Sequence, residues 1–138
     1  MLPSQVLLFL GLVVTSAMAS PLEVESRQAV VICDDLRFTP EQINLCEDRA
    51  CFYWATGDQI ISDNGRPYPT TFNNSPEGFV LRNLRGPFVE FPLGPTVYNG
   101  GQPGRARCII EAGSCNTAAQ IVHPRGGGNL FATCTGSS

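Results

Sequence analysis

Six cysteines in a chain of 138 residues, with an apolar leader ahead of them, constrain this sequence more than any other feature. Cys33, Cys46, Cys51, Cys108, Cys115 and Cys134 form an even set, and behind a secretory leader such a set reads as a disulfide framework. The sequence by itself leaves their pairing open. The run from Leu7 to Val14 is too short to span a bilayer, and Ala17-Met18-Ala19 supplies the small-x-small pattern of a cleavage site. Residues 1–19 therefore read as a signal peptide, residues 20–32 as a propeptide or disordered lead, and residues 33–138 as one folded, secreted domain with no membrane association. Zinc is not expected, because no Cys-x-x-Cys pair occurs and His123 is the only histidine.

What remains after the leader is enough for a single core that buries roughly two-thirds of the unfolded surface. Fourteen glycines and eleven prolines suit a β-rich fold with many turns, and no internal repeat is present. All nine basic residues are arginine. The acids crowd before residue 60, and beyond it Asp63, Glu77, Glu90 and Glu111 face a larger number of arginines. A net charge of -3 argues against strong non-specific binding to nucleic acid, while the arginine-bearing half can hold an anionic ligand locally.

One helix is clearly signalled. Thr39 is placed to cap it, Pro40 stands where its missing N–H costs nothing, and Gln42 closes a capping box. The helix is expected to run to about Trp54, with Gly57 just past its end. Ile43, Cys46, Ala50 and Tyr53 make its buried stripe, and Glu47, Asp48 and Arg49 are expected to stay in water. Strands are expected at Tyr68 to Phe72, near an edge because of Pro69, and at Phe79 to Leu84, Phe88 to Phe91, Arg107 to Glu111 and Gln120 to His123. The result is an α+β domain: one N-terminal helix packed on a twisted antiparallel β-sheet, stabilised by disulfides.

Three of these strands set a charged or titratable group among apolar residues: Glu90, Arg107 and His123. Side chains alternate faces along a strand, so Glu90 stands opposite Val89 and Phe91, Arg107 opposite Ala106 and Cys108, and His123 opposite Val122. If the three strands pair side by side, a carboxylate, a guanidinium and an imidazole converge on the sheet face that the helix does not cover.

The order Tyr68-Pro69, Phe72-Asn73-Asn74, Glu77-Gly78-Phe79, Pro87-x-x-Glu90-Phe91-Pro92, Val97-Tyr98-x-Gly100-Gly101-x-Pro103-Gly104-x-x-Arg107, Ile121-x-His123 and Asn129-x-Phe131 resembles the fungal guanyl-specific ribonucleases. The likeness runs from about Cys33 to Cys134. It implies the small microbial ribonuclease fold and cleavage of single-stranded RNA after guanine, in which the 2′-hydroxyl attacks its own phosphate to give a 2′,3′-cyclic phosphate. Position by position, it implies Glu90 as general base, His123 as general acid, Arg107 as the clamp on the phosphorane, Tyr68 as a phosphate hydrogen-bond donor and Phe131 as an apolar wall. Phe72, Asn73, Asn74, Glu77 and Asn129 are implied in reading the base. No metal or cofactor is needed, and a monomer is expected. The resemblance also pairs Cys33 with Cys134, closing a loop worth ~4.7 kcal/mol on the chain-entropy model, and Cys51 with Cys115. Cys46 and Cys108 are left over, both facing the expected core, and are expected to form a third bridge, two buried free thiols being the alternative.

Two departures from the family pattern stand out. Thr70 takes the place of a histidine that supports the glutamate, which is expected to slow cleavage. Ser75-Pro76 takes the place of a single aromatic that stacks on the base, which is expected to weaken guanine preference. Without the family, Arg107 would read as a plain ion-pair partner for Glu90, Phe131 and Tyr68 as core, and the glycine runs as turns. Asn73-Asn74-Ser75 is also a glycosylation sequon, disfavoured by Pro76. Two functions are therefore carried forward: an attenuated secreted endoribonuclease, and a ribonuclease-like secreted effector that binds RNA or a host protein without cutting.

Overall fold

The computed structural model describes residues 30–137. The expected signal peptide and most of the expected lead lie outside the described residues. Val31 and Ile32, assigned to that lead by the sequence, are instead the start of the first strand.

The chain opens with a hairpin of β1 (Val31–Cys33) and β2 (Leu36–Phe38). The helix α1 (Pro40–Thr56) follows. Its start is the expected capping box: the Gln42 N–H donates to Thr39 Oγ1 at 3.1 Å, and the Thr39 N–H donates to Gln42 Oε1 at 2.9 Å. Its end is Gly57, at a φ of 80° that a glycine adopts without penalty, with its N–H on the Tyr53 carbonyl. A second small pair, β3 (Ile60–Ile61) and β4 (Pro67–Tyr68), leads to the main sheet.

That sheet is antiparallel, with the order β5 (Thr70–Phe72), β6 (Phe88–Pro92), β7 (Ala106–Glu111), β8 (Thr117–Val122) and β9 (Ala132–Thr133). Successive strands in sequence are neighbours in space. The register pairs Glu90 with Ile109 and with Thr70, and Arg107 with Ile121. The expected strand from Tyr68 to Phe72 is divided at Pro69 between β4 and the edge strand β5.

Alternation along β6, β7 and β8 sorts the side chains into two cores. Val89, Phe91, Ala106, Cys108, Ile110 and Val122 face the helix, where they meet Ile43, Cys46 and Ala50. Ile109 and Ile121 face the other way and are covered by Phe72 and Leu81. Leu81 comes from the stretch Phe79 to Leu84, which is not the expected strand. Arg82 and Asn83 both hold positive φ, at 54° and 58°, and the Leu84 N–H closes a turn on the Leu81 carbonyl. The segment curls over the second core and leaves Val80 82% exposed.

The three disulfides join Cys33 to Cys134, Cys46 to Cys108 and Cys51 to Cys115. The second runs through the interior and ties the helix to β7. One expectation for the helix fails: Glu47 is not in water but 7% exposed. The Thr117 hydroxyl donates to it at 2.8 Å and the Gln120 amide reaches it at 3.5 Å, so β8 supplies the partners that make burial tolerable. Burial pushes its carboxyl pKa upward against the Thr117 hydrogen bond.

Candidate active site

On the face of the main sheet away from the helix lies a cleft of about 420 Å³. Glu90, Arg107, His123, Tyr68 and Phe131 all line it, so the register does bring the carboxylate, the guanidinium and the imidazole to one volume. A larger cavity of about 590 Å³ lies elsewhere, between the β1–β2 hairpin and the loop ahead of β7, and holds none of the three.

Arg107 is the fixed point of the cleft. Only 4% exposed, it donates through Nη1 to the carbonyls of Gly104 and Ala106, each at 2.8 Å, and through Nη2 to the Tyr68 hydroxyl at 3.1 Å. These bonds aim Nε at Glu90, whose Oε1 lies 3.4 Å away. Their alignment falls short of a hydrogen bond, so Nε is a buried donor without a partner.

Glu90 is 3% exposed and titrates above the ordinary carboxylate range, because burial outweighs the attraction of Arg107 and Arg66. His123 is shifted the other way. Its imidazole pKa lies below the usual value of 6.5, with burial as the main cause and the Leu130 contact opposing it. His123 Nδ1 lies 2.9 Å from the Leu130 carbonyl, which can only accept, so the proton sits on Nδ1 and Nε2 is left for exchange. The ring stacks on Phe131 with centroids 3.7 Å apart. A carboxylate raised and an imidazole lowered in one cleft are a base and an acid tuned toward the same working pH.

The other end of the cleft is built from loops. Phe72 meets Phe131 edge to face at 5.9 Å, and Glu77, which lines the cleft, accepts from the Phe131 N–H at 2.7 Å through one carboxylate oxygen. Asn73, Asn129, Ser75 and Pro76 complete the wall. Asn74 does not join them. Its amide donates to the Phe79 carbonyl at 2.7 Å and accepts from the Phe79 N–H at 2.8 Å, so it fastens the loop. Thr70 stands opposite Glu90 in the register. Two lining residues escaped the sequence reading, Thr71 and Arg66, and the Nη2 of Arg66 is 4.0 Å from Glu90 Oε2. The Asp63-Asn64-Gly65 turn ahead of Arg66 is legible in the sequence, but its docking on the Gly101 carbonyl is not.

Among the described residues, an antiparallel sheet with one helix and three disulfides, with a carboxylate, an imidazole and a buried guanidinium lining one cleft, defines a small disulfide-bonded α+β protein. The chain belongs to the ribonuclease family, whose pattern it matches over residues 27–135. It is 36% identical to guanyl-specific ribonuclease F1 of Fusarium fujikuroi over 94% of this chain and 93% of that one. It is 35% identical to guanyl-specific ribonuclease Th1 of Trichoderma harzianum, over 76% of this chain and 96% of that one. The extracellular guanyl-specific ribonuclease Fl1 of Gibberella baccata is 36% identical over 77% of this chain and 96% of its own. Among solved structures, the ribonuclease He1 of Hericium erinaceus shares the fold, with a TM-score of 0.53 at 24% identity over 78% of this chain and 99% of that one.

Proposed function

We propose that this protein is a secreted endoribonuclease that cleaves single-stranded RNA on the 3′ side of guanine, leaving a 2′,3′-cyclic phosphate. The observation that carries the reading is the meeting of Glu90, Arg107 and His123 in one cleft, with the Arg107 guanidinium held beside the Glu90 carboxylate. Guanyl specificity and secretion are supported by the names and the extent of the relatives above. Among the described residues, no helix is long and apolar enough to cross a membrane.

In this reaction Glu90 takes the proton of the 2′-hydroxyl as its oxygen attacks phosphorus. Negative charge then builds on the phosphorane oxygens. Arg107, already desolvated and oriented by backbone carbonyls, meets that charge without having to reorganise. His123 delivers a proton from Nε2 to the departing 5′-oxygen, while the Leu130 carbonyl stabilises the charged ring before transfer. Phe131 keeps water from the acid, and Tyr68 steadies Arg107 and offers its hydroxyl to the phosphate. At the other end, the free oxygen of Glu77 accepts the N1 and N2 hydrogens of guanine, and Asn73 and Asn129 close round the base. Thr70 brings no charge to the base, and Ser75-Pro76 offers less stacking surface than an aromatic ring, so rate and specificity are both reduced.

The test is incubation of the disulfide-bonded protein with guanylyl and adenylyl dinucleotides, with chromatography of the products. Cyclic guanosine phosphate formed faster than cyclic adenosine phosphate, and lost in Glu90→Ala, is the expected result. No product at any pH, or none beyond that control, would move the assignment to a ribonuclease-like binding protein.

A further inference from the structure

Glu90 meets a guanidinium on each side. Arg107 approaches Oε1 from the interior, and Arg66 approaches Oε2 from the mouth of the cleft with its side chain 55% exposed. The two cations are held differently. Arg107 is bound by its own side chain to carbonyls of the sheet and the preceding loop, whereas Arg66 is placed by its backbone. Its N–H donates to Ser62 Oγ and to Asn64 Oδ1, each at 3.1 Å, and its carbonyl accepts from the Ser62 N–H and hydroxyl, each at 2.9 Å. Ser62 is buried, and the Asp63 N–H next to it is fastened to the Gly101 carbonyl at 3.0 Å. The turn 62–66 is thus anchored to the loop that leads into β7, the strand that carries Arg107.

Directly across from Glu90 in the sheet is Thr70, a neutral hydroxyl. The charge on the open flank of the carboxylate therefore comes from Arg66 and not from the neighbouring strand. The remaining titratable groups about the cleft are Tyr68, bound to Arg107, together with His123 and Glu77. We infer that Arg66 is a positioning residue for the base: from the solvent side it keeps the Glu90 carboxylate ionised and turned toward the attacking hydroxyl. The inference rests on the nuclease reading for its consequence in rate, but the coupling of the two side chains can be measured without substrate. Because arginine stays protonated throughout the working range, this support does not titrate away as a histidine's would.

Arg66→Gln and Arg66→Lys decide it, with melting temperature confirming that each folds. The Glu90 carboxyl carbon is titrated by nuclear magnetic resonance in the free protein, and kcat and KM are followed with pH on a guanylyl dinucleotide. In Arg66→Gln the carboxyl titration moves up by about one pH unit, the acid limb of the rate profile moves with it, and kcat falls about tenfold below that limb with little change in KM. Arg66→Lys restores most of the shift. An unchanged Glu90 titration overturns the proposal, and so does a loss confined to KM, which would make Arg66 a substrate contact. If even the unaltered protein fails to cleave, the nuclease reading falls and the titration still judges the coupling.

Discussion

The two ends of the cleft are made in different ways. The end proposed for catalysis draws one side chain from each of three consecutive elements, β6, β7 and the residue just past β8, and its placement follows from main-chain register and from burial on a sheet tied to the helix by Cys46–Cys108. The end proposed to read the base is a loop fastened by side chains: Asn74 onto Phe79, Asn73 onto the Ser75 N–H, and Glu77 onto the Phe131 N–H. A loop held by a few such bonds tolerates insertion and exchange, while a buried ion pair on a sheet does not. Phe131 is the seam, with one face on His123 and its edge toward Phe72. Chemistry and recognition should therefore fail separately when each end is altered.

The sharpest way to break that comparison is at the base. Glu90→Gln is expected to lower kcat by roughly 10² to 10⁴ while leaving the ratio of guanine to adenine cleavage unchanged; a collapse of that ratio in initial-rate measurements would show the two ends to be one unit. The same pair sets the pH profile. In the proposed reaction Glu90 must be ionised, and its pKa is raised, while His123 must be protonated, and its pKa is lowered. Activity should then rise through the elevated Glu90 value, fall through the depressed His123 value, and peak in a narrow, mildly acidic window. A plateau extending above neutrality in kcat/KM would contradict the assignment of the acid.

Smaller effects are expected at the reading end. Replacing Ser75-Pro76 by a single Tyr is expected to add roughly 1 to 3 kcal/mol of stacking, seen as tighter KM for guanylyl over adenylyl substrates with kcat little altered. Asn74→Ala removes two hydrogen bonds to Phe79, each worth about 1 kcal/mol, so selectivity should fall by about tenfold while the Glu90 and His123 titrations stay where they are. Dinucleotide competition assays and titration by magnetic resonance separate these outcomes.

The same contrast explains what could be read from the residues. Thr39, Pro40, Gln42 and Gly57 act within a few residues of themselves, and the helix appeared within two residues of its expected end. Glu90, Arg107 and His123 were legible because a period of two along short strands fixes which face each occupies. Phe79 to Leu84 misled because its apolar residues look like a strand, whereas Arg82 and Asn83 turn the chain in a conformation that side-chain identity does not announce. Glu47 misled for another reason: its partners on β8 lie some seventy residues away, as the separations to Thr117 and Gln120 show. Arg66 depends on how the Ser62 turn is docked, and the closing of the Asn74 amide on Phe79 within its own loop is not visible in the sequence.

Cys33 and Cys134 bring their α-carbons within 4.4 Å, and the bridge between Ile32 and Thr135 continues that contact outward. The domain therefore enters and leaves through a single doorway. A host protein could carry it as a graft in a surface loop, and new ends could be opened at an exposed bend elsewhere once the old ones are sewn together.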